Sequence, residues 1–322
     1  MKQNWWEYVI AVIILVVCLI VGMGIAQNYA PEPVIGVIRF EDALTIESSG
    51  ELVEMIEAAR QDHRVAGVAL EVLSPGGLAT SSENVFYALL NLREVKPVVV
   101  AIDTLAVSGG YYMAVAGNRI YAPSSSYIGN VGTRGPRPSD PAISPEELSS
   151  GPFKLTGGNR FDRIQQLDVV KDAFVGNVVH QRANAEMNPL KIDAEAVAEA
   201  RIYLGSEAVA VGLIDSEGSL SNAIAATAEL AGVESYQAVD LADYLSYEAN
   251  TPVPPIQESI RSMVENASAE AIFLLDSRIP LPGVLESTEL DQHLLRLRSV
   301  DAGTLNPTQS QAPGSLQSPF QN

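Results

Sequence analysis

Ser108 stands in the run Ala106-Val107-Ser108-Gly109-Gly110-Tyr111-Tyr112, directly after the apolar stretch Val98-Val99-Val100-Ala101-Ile102. A serine at a strand-to-helix turn with glycines behind it is placed as a nucleophile, but an unactivated hydroxyl is weak and needs an adjacent base. Histidine is scarce. His63 lies in a polar turn, His180 in a helical stretch and His293 near the C-terminus, and each reads as a structural or solvated side chain. The lysines are Lys2, Lys96, Lys154, Lys171 and Lys191. Lys2 precedes the apolar N-terminal run, Lys96 sits at the start of a strand, and Lys171 and Lys191 occupy polar helical positions. Lys154 differs: Gly151-Pro152-Phe153-Lys154-Leu155-Thr156-Gly157-Gly158-Asn159 sets it among apolar and turn residues, in a long excursion from which a side chain can reach back over a sheet. A lysine that takes a serine proton must be uncharged, whereas a free lysine titrates near about 10.4. Burial away from carboxylates is what lowers it, and Phe153 and Leu155 fit that demand.

Two glycine turns follow consecutive strands, Ser74-Pro75-Gly76-Gly77 after Val72 and Ser108-Gly109-Gly110 after Ile102. Glycine lets a backbone N–H come close to a substrate. Two such groups aimed at one carbonyl oxygen form an oxyanion hole, worth about 3 to 4 kcal/mol per donor. SPGG alone is an ordinary turn; its pairing with the serine turn makes it a candidate.

The elements that must position these residues alternate. Strands are expected at residues 34–40, 66–72, 97–102 and 119–122. Helices are expected at 51–61, with Leu52, Met55, Ile56 and Ala59 on one face, at 82–92 and at 161–185. Strands apolar on both faces, alternating with helices, imply an α/β fold with parallel strands and right-handed crossovers. Function then belongs at the carboxyl ends of the strands. Residues 133–160 read as a long surface excursion, and Thr251-Pro252-Val253-Pro254-Pro255 as a boundary. Residues 256–275 and 285–297 read as helical, and the uncharged Gln/Ser/Pro-rich residues 304–322 as disordered.

From residue 8 to residue 31 there is no charge. A bilayer core of about 30 Å needs about 20 such residues as helix, and Trp5, Trp6 and Tyr29 resemble interfacial aromatics. The reading is a single-pass anchor with the N-terminus in the cytoplasm and everything after Pro31 outside. A cleaved signal peptide ending at Gly24-Ile25-Ala26 is the alternative. The expected organisation is therefore an anchor over 1–31, a catalytic domain over 32–250, a helical extension over 251–300 and a tail over 301–322. Net charge is −19, from 20 basic and 39 acidic residues, which argues against a nucleic-acid partner. The one cysteine, Cys18, excludes an intrachain disulfide and a thiolate metal cluster. No metal and no cofactor is called for.

These residues resemble the signal peptide peptidase A family of membrane-bound proteases with a Ser-Lys dyad. The resemblance runs through Ser74-Pro75-Gly76-Gly77, the Ser108 run, Arg119-Ile120-Tyr121-Ala122, Phe153-Lys154 with Gly157 and Arg160, Arg201-Ile202-Tyr203-Leu204-Gly205, and Gly212-Leu213-Ile214-Asp215 with Gly218. It covers about residues 33–240. It implies a ββα superhelix of the Clp protease and crotonase type, Ser108 as nucleophile and Lys154 as general base. It also implies Gly109 and Gly77, supported by Gly76, as oxyanion donors, and a ring-shaped homo-oligomer in which one subunit's lysine completes its neighbour's serine site. Peptides, signal peptides among them, would be the substrates. One segment departs: the family carries Gly-Ser-Ile-Gly-Val where this chain has Gly129-Asn130-Val131-Gly132-Thr133, so Asn130 would have to support the lysine. Two other readings stand beside it. One is a crotonase-like acyl-CoA hydratase or isomerase using carboxylates from Asp103, Glu83 or Asp140; the other is a non-catalytic scaffold of the same fold.

Overall fold

The computed structural model describes residues 5–29, 32–136, 150, 154, 160–245, 255–266 and 271–279. In chain order the elements are α1 (Trp5–Tyr29), β1 (Val34–Phe40), α2 (Ile46–Gln61), β2 (Val65–Ser74), β3 (Gly76–Leu78), α3 (Ala79–Arg93), β4 (Val98–Val107), α4 (Gly109–Ala114), β5 (Arg119–Ala122) and β6 (Tyr127–Gly129). There follow α5 (Arg160–Ala183), α6 (Ala194–Ala198), β7 (Ile202–Leu204), α7 (Gly205–Val211), β8 (Ser216–Glu217), α8 (Leu220–Ala231), β9 (Gln237–Asp240), α9 (Leu241–Tyr244), α10 (Ile256–Asn266) and β10 (Phe273–Leu275).

The expected α/β architecture is present. The main sheet runs β7-β6-β4-β2-β1-β9, with β5 beside β4 and β8 beside β5. All its pairs are parallel except β6 with β7. β4 is the pivot: Val99–Ala101 pair with β5 and Leu105–Val107 pair with β6. The strand therefore changes partner halfway along, and its last residues are carried clear of β5 toward the next turn. Val98, Val99, Val100, Ala101 and Ile102 are all buried, as a strand covered on both faces requires.

Helix α2 starts five residues earlier than its apolar spacing predicts. The Thr45 hydroxyl accepts from the Ser48 N–H while the Thr45 N–H donates to Ser48 Oγ, so a reciprocal cap satisfies the first turn. In α5 the spacing holds only for the second half: Phe174 and Val178 are buried, whereas Phe161 and Ile164 are 79% and 43% exposed. Residues 256–275, read as one helix, divide instead into α10 and the strand β10. The apolar periodicity ends with Val264, and Ile272-Phe273-Leu274-Leu275 is a continuous apolar run that the neighbouring chain takes up as a strand. Residues 285–297 and 304–322 lie outside the described residues.

The N-terminal expectation is not supported. α1 is a helix of 25 residues. Among the described residues no helix is long and apolar enough to cross a membrane.

Under the sheet's β5 edge lies a buried ion pair. Arg182 and Asp215, with side chains 2% and 1% exposed, meet at 2.9 Å. Asp215 also accepts from the Ile120 N–H, and Arg182 donates to the carbonyls of Gly212 and Asn188. A second buried carboxyl, Asp42, follows β1 and accepts from the Ala43 N–H at 2.7 Å. Burial pushes its pKa up, more than that bond pulls it down. A raised carboxyl favours the fold while protonated, below its unfolded value of about 3.9, and loses that contribution as pH rises through the folded value. Asp42→Asn is accordingly expected to raise the melting temperature at pH 7 and to leave it unchanged below pH ~4. Thermal unfolding at both pH values checks this, and an equal shift at both would refute it.

Candidate active site

Ser108 lies between the end of β4 and the start of α4, with φ 55° and ψ −121°. A non-glycine residue at positive φ costs on the order of 1–3 kcal/mol and persists only where its surroundings enforce it. Here they do. Its N–H donates to the Gly129 carbonyl at 2.7 Å, its carbonyl accepts from the Tyr112 N–H at 2.9 Å, and the residue is buried. Its hydroxyl does not cap the helix behind it.

That helix is held by its aromatics. Tyr112 stacks on Phe174 at 4.4 Å and lies 4.8 Å from Phe86, joining α4 to α5 and α3. Its hydroxyl accepts from Asn177 Nδ2, and burial pushes its pKa up to about 12. The Tyr111 hydroxyl is fully buried and donates to the Leu213 carbonyl at 2.6 Å. Neither phenol is a base here; both are struts.

Gly76 and Gly109 are brought together as expected. Gly76 has φ +89°, and a β-carbon on it would sit 1.9 Å from the Leu274 carbonyl oxygen and 2.7 Å from the Gly109 nitrogen. A β-carbon on Gly109 would meet Ser82 Oγ at 2.3 Å and the Leu274 oxygen at 2.9 Å. The Gly109 amide and the Leu274 carbonyl therefore border one small space that only glycine leaves open. Gly77 contributes from the other side. Leu44 bridges one edge of β3, donating to the Gly76 carbonyl and accepting from the Leu78 N–H, so the Gly77 N–H and C=O point to the opposite edge, where Leu274 is its register partner. Gly109→Ala keeps the N–H but adds a β-carbon that must push Ser82 Oγ aside and fill the space beside the amide. Displacing the amide from its aim is expected to lower any turnover at this site by up to about 100-fold, the scale of an oxyanion donor lost, and steady-state kinetics of a variant confirmed folded by circular dichroism tests it.

Asn130 directly follows β6. It has φ 55°, a conformation asparagine tolerates. Its N–H donates to the Arg201 carbonyl, its Nδ2 to the Ala200 carbonyl, and its Oδ1 accepts from the Ser277 N–H at 3.0 Å. It engages the chain beyond α10.

Lys154 is an exposed turn residue, and among the described residues no contact joins it to Ser108, Gly76, Gly109 or Asn130. The remaining described bases are elsewhere. Lys96 donates to the carbonyls of Ala59 and Asp62, and Lys171 pairs with Asp168. His63 and His180 are exposed, while Lys2 and His293 lie outside the described residues. Of the carboxylates weighed for hydratase chemistry, Asp103 is exposed and Asp140 lies outside the described residues; burial raises the pKa of the partly buried Glu83. No group of three or more metal-ligating side chains occurs among the described residues. What the sequence did not disclose is the strand against the glycines: β10, with Arg134 and Ser277 beside it. Only the short run Ile272-Phe273-Leu274-Leu275 before Asp276 hints at it.

Residues 91–136, which hold Ser108 and Asn130, match the family model described as peptidase family S49. The chain is 30% identical over 244 residues to the chloroplastic serine protease SPPA of Arabidopsis thaliana, covering 73% of this chain and 36% of that protein. It is 29% identical over 241 residues to Protease 4 of Salmonella typhi, covering 70% and 37%. With the putative signal peptide peptidase SppA of Enterococcus faecium it shares 27% over 179 residues, 52% of each. The chain thus spans about a third of the first two relatives. A solved structure of a membrane-bound stomatin-specific protease aligns with 58% of the chain at 16% identity and a TM-score of 0.41.

Proposed function

The chain belongs to the signal peptide peptidase A family, peptidase family S49, and on that premise we propose that it is a serine endopeptidase cleaving signal peptides or other apolar peptides through a Ser108–Lys154 dyad. The observation that carries the reading is the placement of a buried, conformationally strained Ser108 one residue before the Gly109 amide, which borders the same space as the Gly76–Gly77 turn. A carbonyl in that space accepts from the Gly77 and Gly109 N–H groups. The Ser108 hydroxyl attacks it, Lys154 in its neutral form takes the proton and returns it to the leaving amine, and a water then releases the acyl group by the same route.

The lysine comes from a neighbouring copy of the chain in a ring. Two observations support that: Lys154 is exposed within one chain, and Phe161 and Ile164, at the adjoining start of α5, present apolar surface to solvent. A second copy packed there would cover both and exclude the water that keeps a lysine charged. The ring follows the Clp and crotonase superhelical type, and the alternation of parallel strands around β4 is compatible with it. The uncharged run of residues 8–31, with Ile10, Leu15, Leu19 and Ile20 exposed, is the proposed membrane attachment, holding the catalytic part outside the cytoplasm and near apolar peptides leaving the bilayer. The test is hydrolysis of an extended apolar peptide by the full chain and by Ser108→Ala. Equal turnover by the two proteins would end the peptidase reading.

A further inference from the structure

Taking the peptidase reading as its basis, we infer that residues 271–279 occupy the peptide groove of this same site as an internal plug, so that the chain holds its own catalytic serine closed. β10 is bonded on both edges. Toward β3 it runs antiparallel, with Leu78, Gly77 and Gly76 opposite Phe273, Leu274 and Leu275. The Ala79 N–H donates to the Ile272 carbonyl and the Asp276 N–H to the Pro75 carbonyl, at 2.9 and 2.7 Å. Bonds in an antiparallel ladder fall at every second pair, so the pair between these two, Gly77 with Leu274, is also hydrogen-bonded. Toward the other edge, Phe273 and Arg134 exchange both backbone bonds, at 2.9 and 3.1 Å. A peptide bound by strand addition between two walls makes these bonds.

The register puts one carbonyl at the chemistry. Leu274 oxygen lies in the space bordered by Gly76 and the Gly109 amide, where a scissile carbonyl has to be. Phe273, Leu274 and Leu275 are all buried, and Phe273, Leu275 and Ile279 form a small core with Ile260 and Met263 of α10. A latch fastens the far end. Arg134 Nη1 donates to the carbonyls of Asp276 and Ile279, Ser277 is bonded to Asn130, and Arg278 pairs with Asp276 while lying over the Tyr127 ring. The groove therefore takes an extended peptide with consecutive large apolar side chains, and such a peptide enters only when the segment leaves.

Leu78 and Phe273 form the non-hydrogen-bonded pair, about 4.5 Å apart at Cα, within disulfide reach. In a Cys18→Ser background, Leu78→Cys with Phe273→Cys locks the plug when oxidised. Hydrolysis of an extended apolar peptide by the full chain is expected to fall about tenfold or more on oxidation and to return on reduction, because the open fraction sets the apparent affinity. Adding Ser108→Ala removes turnover from the comparison. A fluorescent peptide copying residues 271–279 should then bind the reduced protein about tenfold or more tightly than the oxidised one. Equal binding, or equal hydrolysis, in the two redox states overturns the plug. Binding that switches while no form hydrolyses peptide keeps the plug and removes the peptidase reading. Should the cysteine pair fail to close, Arg134→Met deletes both guanidinium bonds of the latch, and peptide binding no tighter than in the parent overturns the inference.

Discussion

Chains carrying Ser108→Ala and chains carrying Lys154→Ala are each expected to be inactive alone and to recover about a quarter of wild-type turnover when co-assembled in equal amounts. Each single loss should be on the order of 10⁶-fold, the scale seen when a nucleophile or its base is removed from a serine protease. The recovery follows from geometry. If one copy supplies the serine and its neighbour the lysine, a site works when the serine-bearing copy carries Lys154→Ala and the lysine-bearing neighbour carries Ser108→Ala. At random mixing each condition is met about half the time. A dyad within one chain gives no such recovery, because every copy then has a damaged site. The exposure of Lys154 and of the apolar start of α5 is what points to the shared arrangement. Co-expression with two affinity tags, followed by peptide hydrolysis by doubly purified assemblies, reads the result. Mixed assemblies with no activity would place the dyad in one chain, and full activity of Lys154→Ala alone would remove lysine from the chemistry.

Asp215→Ala is expected to cost about 3–5 kcal/mol of stability, the largest single effect on the fold. The carboxylate receives two Arg182 bonds, at 2.9 and 3.1 Å, and one from the Ile120 N–H at 2.7 Å. Its loss strands a guanidinium at 2% side-chain exposure and orphans an amide at the start of β5. The pair itself is a different matter, because desolvating two charges offsets much of their attraction. Replacing both, as Arg182→Met with Asp215→Leu, should therefore cost less than Asp215→Ala alone. Urea unfolding of the three proteins decides it. A double variant at least as unstable as the single one would show that the ion pair, and not the stranded charge, carries the stability.

Much of the site was legible locally. Ser108, Gly109 and the Gly76–Gly77 turn were placed by their own spacing after two apolar runs, and the structure sets Gly76 and Gly109 against one another. Strand positions followed from apolar runs because a strand buried on both faces has no polar period to obscure it. Asn130 reads locally as support for a lysine, and no local pattern announces the bonds its side chain makes to Ser277, 147 residues away. Residues 256–275 read as one helix from the sequence, since a four-residue apolar run carries no period that separates helix from strand. α10 ends, and the next segment becomes β10 because β3 and Arg134 each present it with an open backbone edge.

The amino-acid order alone determined the candidate nucleophile, the glycine turns beside it, the scarcity of bases and the alternation that builds a parallel sheet, because each is a property of neighbours along the chain. Only the tertiary structure decided which groups meet across it. Arg182 finds Asp215 33 residues on, and Leu274 pairs with Gly77 from far along the chain. Such pairings are chosen by burial and by unpaired backbone groups in the assembled fold, and they leave no local pattern to read.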